Sequence, residues 1–259
     1  MRILMVGDVV GRPGRKAIKE NVPDLVRSHY IDLTVVNGEN AAGGKGITRE
    51  IAREILAAGA DIITMGNHVW QQKEVFTLLT REERIVRPAN YPPGVPGTGL
   101  HVLKARNGVP VAVLNLAGRV FMDALDCPFR KADELLATLA PEIKVILLDF
   151  HAEASSEKMA MGWYLDGRVS AVCGTHTHVQ TADERILPGG TAYITDVGMT
   201  GPVHSIIGVE KEAVLEKFLT GLPRRFEVAT GPYQLNAVIL DIDENTGRAR
   251  SIQRVQNFE

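Results

Sequence analysis

The sequence predicts an α/β fold, and two observations carry that prediction. Short apolar runs rich in β-branched residues alternate with stretches of helical periodicity along 259 residues. Five of these runs also close in a potential metal ligand: Gly7-Asp8, Gly38-Glu39-Asn40, Gly66-Asn67-His68, Asp149-Phe150-His151 and Gly174-Thr175-His176-Thr177-His178. In open α/β sheets the working groups lie just beyond the carboxyl ends of strands, which is where these blocks stand.

Taken in order, Ile3 to Val6 is the first strand, followed by a Gly/Pro loop from Gly11 to Gly14 and an amphipathic helix from Arg15 to His29. Leu33 to Val36 is the second strand. Thr48 is placed to N-cap the next helix, with Glu50 in its first turn, Ile51, Ile55 and Leu56 at helical spacing, and Gly59 as the stop. Ile62 to Met65 follows as the third strand. Later strands are expected at Val111 to Leu116, Val145 to Leu148, Ser170 to Cys173 and Thr191 to Thr195, with helices at Lys131 to Leu139 and Lys211 to Thr220. Leu235 to Asp241 and Arg248 to Val255, broken by Asp243 to Gly247, read as a closing antiparallel hairpin. No repeat, low-complexity tract or linker interrupts the chain, so residues 1–259 are expected to form one domain.

Composition narrows the function. A chain of this length buries roughly three quarters of its unfolded surface. Twenty-nine basic against 31 acidic residues leave a net charge of −2, and only 5% of the residues are aromatic. There is no basic field for a membrane surface or a polynucleotide and little to stack bases on, so no membrane association and no stable nucleic-acid complex are expected. No apolar run approaches the ~20 residues of a membrane span. The apolar residues between Arg2 and Gly7 fall far short of a secretory signal. Cys127 and Cys173 lack CxxC spacing, and Cys173, at the end of an apolar strand, reads as a core thiol. A cytoplasmic protein is expected, and its edge strands and near-neutral surface permit a homo-oligomer.

Each block has a chemical reading beside a plainer one. Asp8 follows the first strand and is placed to ligate a cation, although an acidic residue there also fixes turns. Glu39 offers two oxygens that can bridge two cations, and Asn40 a neutral amide oxygen; a polar turn before a helix is the plainer reading. The glycine-rich loop Gly43 to Gly46 has no Walker pattern, and it reads as a rim whose amides or Lys45 meet an anionic substrate. Asn67 supplies an oxygen ligand, and His68, kept off the metal, is suited to donate a proton near neutral pH. His151 is a ligand or a satisfied core histidine. His176 and His178, two apart after a strand, would project to one side of extended backbone and each serve one of two neighbouring cations.

Mixed oxygen and nitrogen donors suit iron, manganese or zinc better than calcium or magnesium. The number of donors suggests two ions. Such a pair, ~3.5–4 Å apart, clamps a phosphoryl oxygen and generates a bridging hydroxide for in-line attack.

The order GD, GEN, GNH, H, GTHTH resembles the calcineurin-like metallophosphoesterase superfamily, whose motifs run GDxHG, GDxxD, GNH, H and GHxH. Two positions depart from that pattern: Val10 stands where the superfamily has a ligand histidine, and Glu39 where it has a bridging aspartate. Together with GDVVGRPGR at Gly7 to Arg15, NGENAAGGKGIT at Asn37 to Thr48, NLAGRVFM at Asn115 to Met122 and TDVGMTGP at Thr195 to Pro202, they resemble the bacterial YmdB-type phosphodiesterases.

The resemblance covers nearly the whole chain. It implies a four-layer α-β-β-α sandwich of two mixed sheets, two metal ions with iron expected, and hydrolysis of 2′,3′-cyclic nucleotides to 3′-nucleotides. One ion would be held by Asp8, Glu39, Asn40 and His178, the other by Glu39, Asn67, His151 and His176. Glu39 would bridge, Asn40 would replace the role lost at Val10, and His68 would protonate the leaving alkoxide. Asp149 and Glu153 could orient imidazoles, and Asn115 with Arg119 could face the phosphate. Other readings are a broader phosphomonoesterase or nucleotidase, and a regulatory protein that uses the metal site as a sensor.

Overall fold

The computed structural model describes residues 1–259, and two mixed sheets packed face to face form its centre. The first sheet contains β1 (Arg2–Val6), β2 (Asp8–Val9), β3 (Leu33–Asn37), β4 (Ile62–Thr64), β5 (Ile85–Val86), β12 (Met199–Pro202), β13 (Tyr233–Ile242) and β14 (Ala249–Phe258). Within it β1, β3, β4 and β5 run parallel, while β13 pairs antiparallel to β1, β12 and β14. The second sheet contains β6 (Leu100–Lys104), β7 (Pro110–Ala117), β8 (Val145–His151), β9 (Ala171–Thr175), β10 (Arg185–Ile186) and β11 (Ala192–Ile194). Here β7, β8, β9 and β11 are parallel, with antiparallel β6 and β10 at the edges.

Side-chain alternation along the strands separates three cores. Ile3, Met5, Leu33 and Val35 of the first sheet meet Val111, Val113, Val145 and Leu147 of the second in the middle layer. The opposite face of the first sheet, with Leu4, Val6, Val36 and Ile63, packs on Ala17, Ile18 and Val22 of α1 (Gly11–Ser28), Ile55 of α2 (Arg49–Ala57) and Val75 of α3 (Val75–Leu78). The opposite face of the second, with Ala112, Leu114, Leu148 and Phe150, packs on Ala132 of α4 (Pro128–Thr138) and Met161 of α5 (Ser155–Tyr164). The result is the α-β-β-α sandwich that the resemblance implies. Strands buried on both faces explain the uninterrupted apolar runs, and each buried Leu, Ile or Val contributes about 1.5–3 kcal/mol before chain entropy is set against it.

Most expected elements are present, including the Thr48 cap, whose hydroxyl accepts from the Ile51 amide at 3.2 Å. Gly11 to Gly14 is not a loop but the first turn of α1. Pro13 is tolerated there because a helix's first turn leaves its amides unpaired, and the Gly14 amide donates to the Val10 carbonyl at 3.1 Å. The sequence reading omits α5, in which Glu157 and Lys158 are buried while Met159, Trp163 and Tyr164 are exposed. It also omits β12, whose Met-Thr-Gly-Pro sequence carries no strand pattern and which pairs with β2 and β13. No helix is long and apolar enough to cross a membrane.

Cys173 lies wholly buried in the middle layer, and burial pushes its thiol well above the ordinary range. Native protein treated with a thiol-specific reagent should therefore lose only the partly exposed Cys127, with Cys173 reacting after denaturation. Rapid labelling of both in the folded state would contradict this packing.

Candidate metal centre

Every expected ligand lies at the carboxyl end of a parallel strand or just beyond it, and the two sheets contribute to one cluster. Asp8 follows β1, Glu39 and Asn40 follow β3, and Asn67 and His68 follow β4; His151 ends β8, and His176 and His178 follow β9. Gly66 has to be glycine, because a Cβ there would collide with the Glu39 carboxylate and the His151 ring. Gly174 likewise admits the carbonyl of Thr195 against the backbone.

Glu39, His151 and His176 bring ligand atoms within 4.8 Å of one another. His151 Nε2 lies 2.9 Å from Asn67 Oδ1, 3.0 Å from His176 Nδ1 and 3.3 Å from Glu39 Oε1. A second group meets the same carboxylate oxygen. The Asn40 amide nitrogen donates to Glu39 Oε1 at 2.9 Å and lies 3.2 Å from His178 Nε2, which is 4.0 Å from Asp8 Oδ1. All seven expected ligands are thus in one place, and Glu39 Oε1 is the atom common to both groups.

The far nitrogen of each imidazole is tied to an oxygen. His151 Nδ1 donates to Thr175 Oγ1 at 2.9 Å, and that hydroxyl donates to Asp149 Oδ1 at 2.7 Å. His176 Nε2 lies 3.0 Å from Glu153, and His178 Nδ1 donates to the Ile207 carbonyl at 2.8 Å. Each ring's other nitrogen is therefore left to face the cluster, the usual arrangement for a metal-bound histidine. Asp149 and Glu153 do orient imidazoles, the former through Thr175.

This donor set fits cations. Asp8 Oδ1 is fully buried with no hydrogen-bond partner, a costly state for a carboxylate oxygen. A single proton on His151 Nε2 faces three acceptors, and a cation satisfies them together. Burial pushes the Asp8 carboxyl up to about 6. Burial also opposes charge on His151, but the Glu39, Asp8 and Asp149 carboxylates outweigh it and raise the ring to about 9. Burial opposes ionisation of Glu39 too, yet the facing His151 and His68 hold it below the carboxylate range. Burial and the His151 charge lower His176 to about 3, so it is neutral and free to coordinate.

His68 sits beside the cluster and is partly exposed. Its amide donates to Glu39 Oε2 at 3.0 Å, its Nδ1 is 2.7 Å from Asn40 Oδ1, and burial lowers its pKa. Val10, at the superfamily's histidine position, is a buried apolar wall of the adjoining cavity. The chain beyond β9 departs from the extended form expected of it: His176 and His178 adopt φ of 100° and 68°, strained values for residues with a Cβ. Asn115 does not face the site, since it is fully buried and donates to the Asp149 carbonyl at 3.2 Å; Arg119 is exposed, its amide held by Glu157. Phe121 is 90% exposed.

Sequence reasoning passed over the supports. Lys158 and Asp196 form a buried ion pair at 2.7 Å, and Asp196 accepts the Thr177 amide at 3.0 Å and its hydroxyl at 2.6 Å, pinning the residue between His176 and His178. Asn37 and Thr64 donate to Asp149 Oδ2 at 2.9 and 2.5 Å. Lys158 lies outside the motifs, and Asp196, though within TDVGMTGP, is distant in sequence from Lys158 and Thr177.

Two stacked mixed sheets with a histidine and carboxylate cluster at the strand ends define a metallophosphoesterase. A family model described as YmdB-like protein matches residues 4–255, and the chain belongs to that family. It is 56% identical to the 2′,3′-cyclic-nucleotide 2′-phosphodiesterase of Bacillus subtilis (strain 168), covering 98% of this chain and 96% of that one. A crystal structure of a hypothetical protein from Thermus thermophilus superposes with a TM-score of 0.94 at 48% identity over all of both chains. One of a novel phosphatase from Mycoplasma pneumoniae gives 0.94 at 35% identity, covering 100% of this chain and 93% of that one.

Replacing Thr175 with Val should cut the link between His151 and Asp149 and weaken metal binding about 10- to 100-fold, read by titration calorimetry of the chelator-treated protein, with Thr175→Ser near wild type. Unchanged affinity in Thr175→Val would remove the hydroxyl from the site's support.

Proposed function

We propose that the chain is a dinuclear-metal phosphodiesterase that hydrolyses 2′,3′-cyclic nucleotides to 3′-nucleotides, with residues 1–259 acting as one domain. The observation that carries this reading is the convergence of His151 and His176 on Glu39, with His178 next to Asn40 and the orphaned Asp8 oxygen, and with His68 beside them on an open cavity. The activity in the name of the Bacillus subtilis relative supports the substrate class. We place the enzyme in the cytoplasm, as a homo-oligomer, on the composition and edge strands described above.

Asp8, Glu39, Asn40 and His178 would hold one ion, and Glu39, Asn67, His151 and His176 the other, with Glu39 shared. Iron is the metal proposed, and manganese or zinc suits the same donors. When bound, the pair supplies Lewis acidity at the phosphoryl oxygens and lowers the pKa of a water.

The remaining work falls to His68. Breaking the bond from phosphorus to the ribose 2′-oxygen develops negative charge on that oxygen, which needs a proton donor within hydrogen-bond reach. The ring donates from its protonated form, in which Nδ1–H is held by Asn40 Oδ1 at 2.7 Å and Nε2–H is the proton given to the leaving oxygen, after which the ring is neutral with its proton on Nδ1. Burial lowers the pKa of His68, which favours release of that proton. Glu39 fixes the His68 backbone through the amide it accepts.

His68→Ala should retain its metal content, by elemental analysis, and lose at least about a hundredfold in kcat on a 2′,3′-cyclic nucleotide. The wild-type product should be the 3′-nucleotide by chromatography. Undiminished turnover in the variant, or release of the 2′-nucleotide, would overturn the assignment.

A further inference from the structure

The cavity beside the cluster measures about 400 Å³, within the range of small-molecule sites. Its lining combines two chemistries. Glu39, Asn40, His68 and the paired histidines face it from the metal side, and Ile207, Val209, Phe226 and Val228 supply an apolar wall. Ile207 and Phe226 are 52% and 41% exposed, so this wall is open to a ligand and not closed against the protein.

Ile207 holds a φ of 47°, an unusual value for a β-branched residue, and its carbonyl is the acceptor for His178 Nδ1 at 2.8 Å. The hydrogen bond that orients a ligand imidazole therefore also fixes the apolar wall. The Phe226 ring is anchored by the Lys217 ammonium, 4.9 Å from its centroid.

A cyclic nucleotide enters with a defined orientation. Both ester oxygens of a 2′,3′-cyclic phosphate belong to the ribose, so the oxygen that His68 must reach brings the nucleoside with it. Ribose beside His68 sends the base into the cavity that His68 lines. A second cavity of about 400 Å³ adjoins the cluster at Asn67 and His176, with exposed Phe121 at its rim, but His68 does not line it.

We propose that Phe226, backed by Ile207 and Val228, is a base-stacking subsite that makes the enzyme selective for cyclic phosphates carrying a nucleobase over base-free cyclic diesters. The inference rests on the cyclic-nucleotide reading above. The test compares kcat/KM for 2′,3′-cyclic AMP and for glycerol 1,2-cyclic phosphate in the wild type and in Phe226→Ala, Phe226→Tyr and Phe121→Ala. Stacking on one aromatic ring predicts that Phe226→Ala lowers the ratio of the two constants roughly tenfold or more, through KM for the nucleotide, and that Phe226→Tyr restores it. Phe121→Ala should keep the wild-type ratio. An unchanged ratio in Phe226→Ala, or a fall in Phe121→Ala instead, would overturn the subsite while leaving the cyclic-phosphate activity intact. A metal-loaded wild type that cleaves neither compound would overturn the underlying reading.

Discussion

The Glu39 carboxylate is the constraint on which the site depends. It lies 1% exposed where the two sheets meet, with His151 Nε2 at 3.3 Å, the Asn40 amide at 2.9 Å and the His68 amide at 3.0 Å around it. A charge buried so deeply persists only where its surroundings supply compensating charge and hydrogen bonds. Each neighbouring feature answers that need. Glycine at position 66 makes room, β4 delivers the His68 amide, and the ends of β8 and β9 deliver imidazoles from the opposite sheet. The sandwich is therefore the means by which one carboxylate meets partners from distant parts of the chain.

The polar residues that support this cluster are themselves buried. Asp149 accepts from Asn37, Thr64 and Thr175, and Asp196 accepts from Lys158 and Thr177, all in the interior. Buried pairs of this kind add little net stability against an apolar core but are costly to break by halves, about 3–5 kcal/mol when one charge is left alone. Their value lies in geometry. They hold His176 and His178 at positive φ, where an unsupported loop would relax.

Much of this was legible in the sequence, because a strand closing in a polar residue able to bind a metal is a local signal. Asp8, Glu39, Asn40, Asn67, His68, His151, His176 and His178 each announce themselves in this way, and Val10 and Glu39 narrow the pattern further. The supporting contacts are silent for the opposite reason. Asp149, two residues before His151, is legible as an imidazole partner, but Thr175 links the two across strands and the Lys158–Asp196 pair joins a helix to a loop, so no spacing records those contacts. Helix α5 is hidden on the same account: burying Glu157 against the Arg119 and Val120 amides and Lys158 against Asp196 inverts the amphipathic pattern that reveals a helix. Strand β12 is hidden because Gly201 and Pro202 break the strand pattern, and its pairing with β2 and β13 makes it a strand.

The central claim is that Glu39 is shared between two cations. Anomalous diffraction from phosphate-soaked crystals, measured at the iron, manganese and zinc absorption edges, tests it most directly. The account predicts two peaks, both in contact with Glu39, one beside Asp8 and His178 and the other beside His151 and His176, with His68 bound to neither. A single peak, or a pair in which Glu39 touches only one ion, would contradict it.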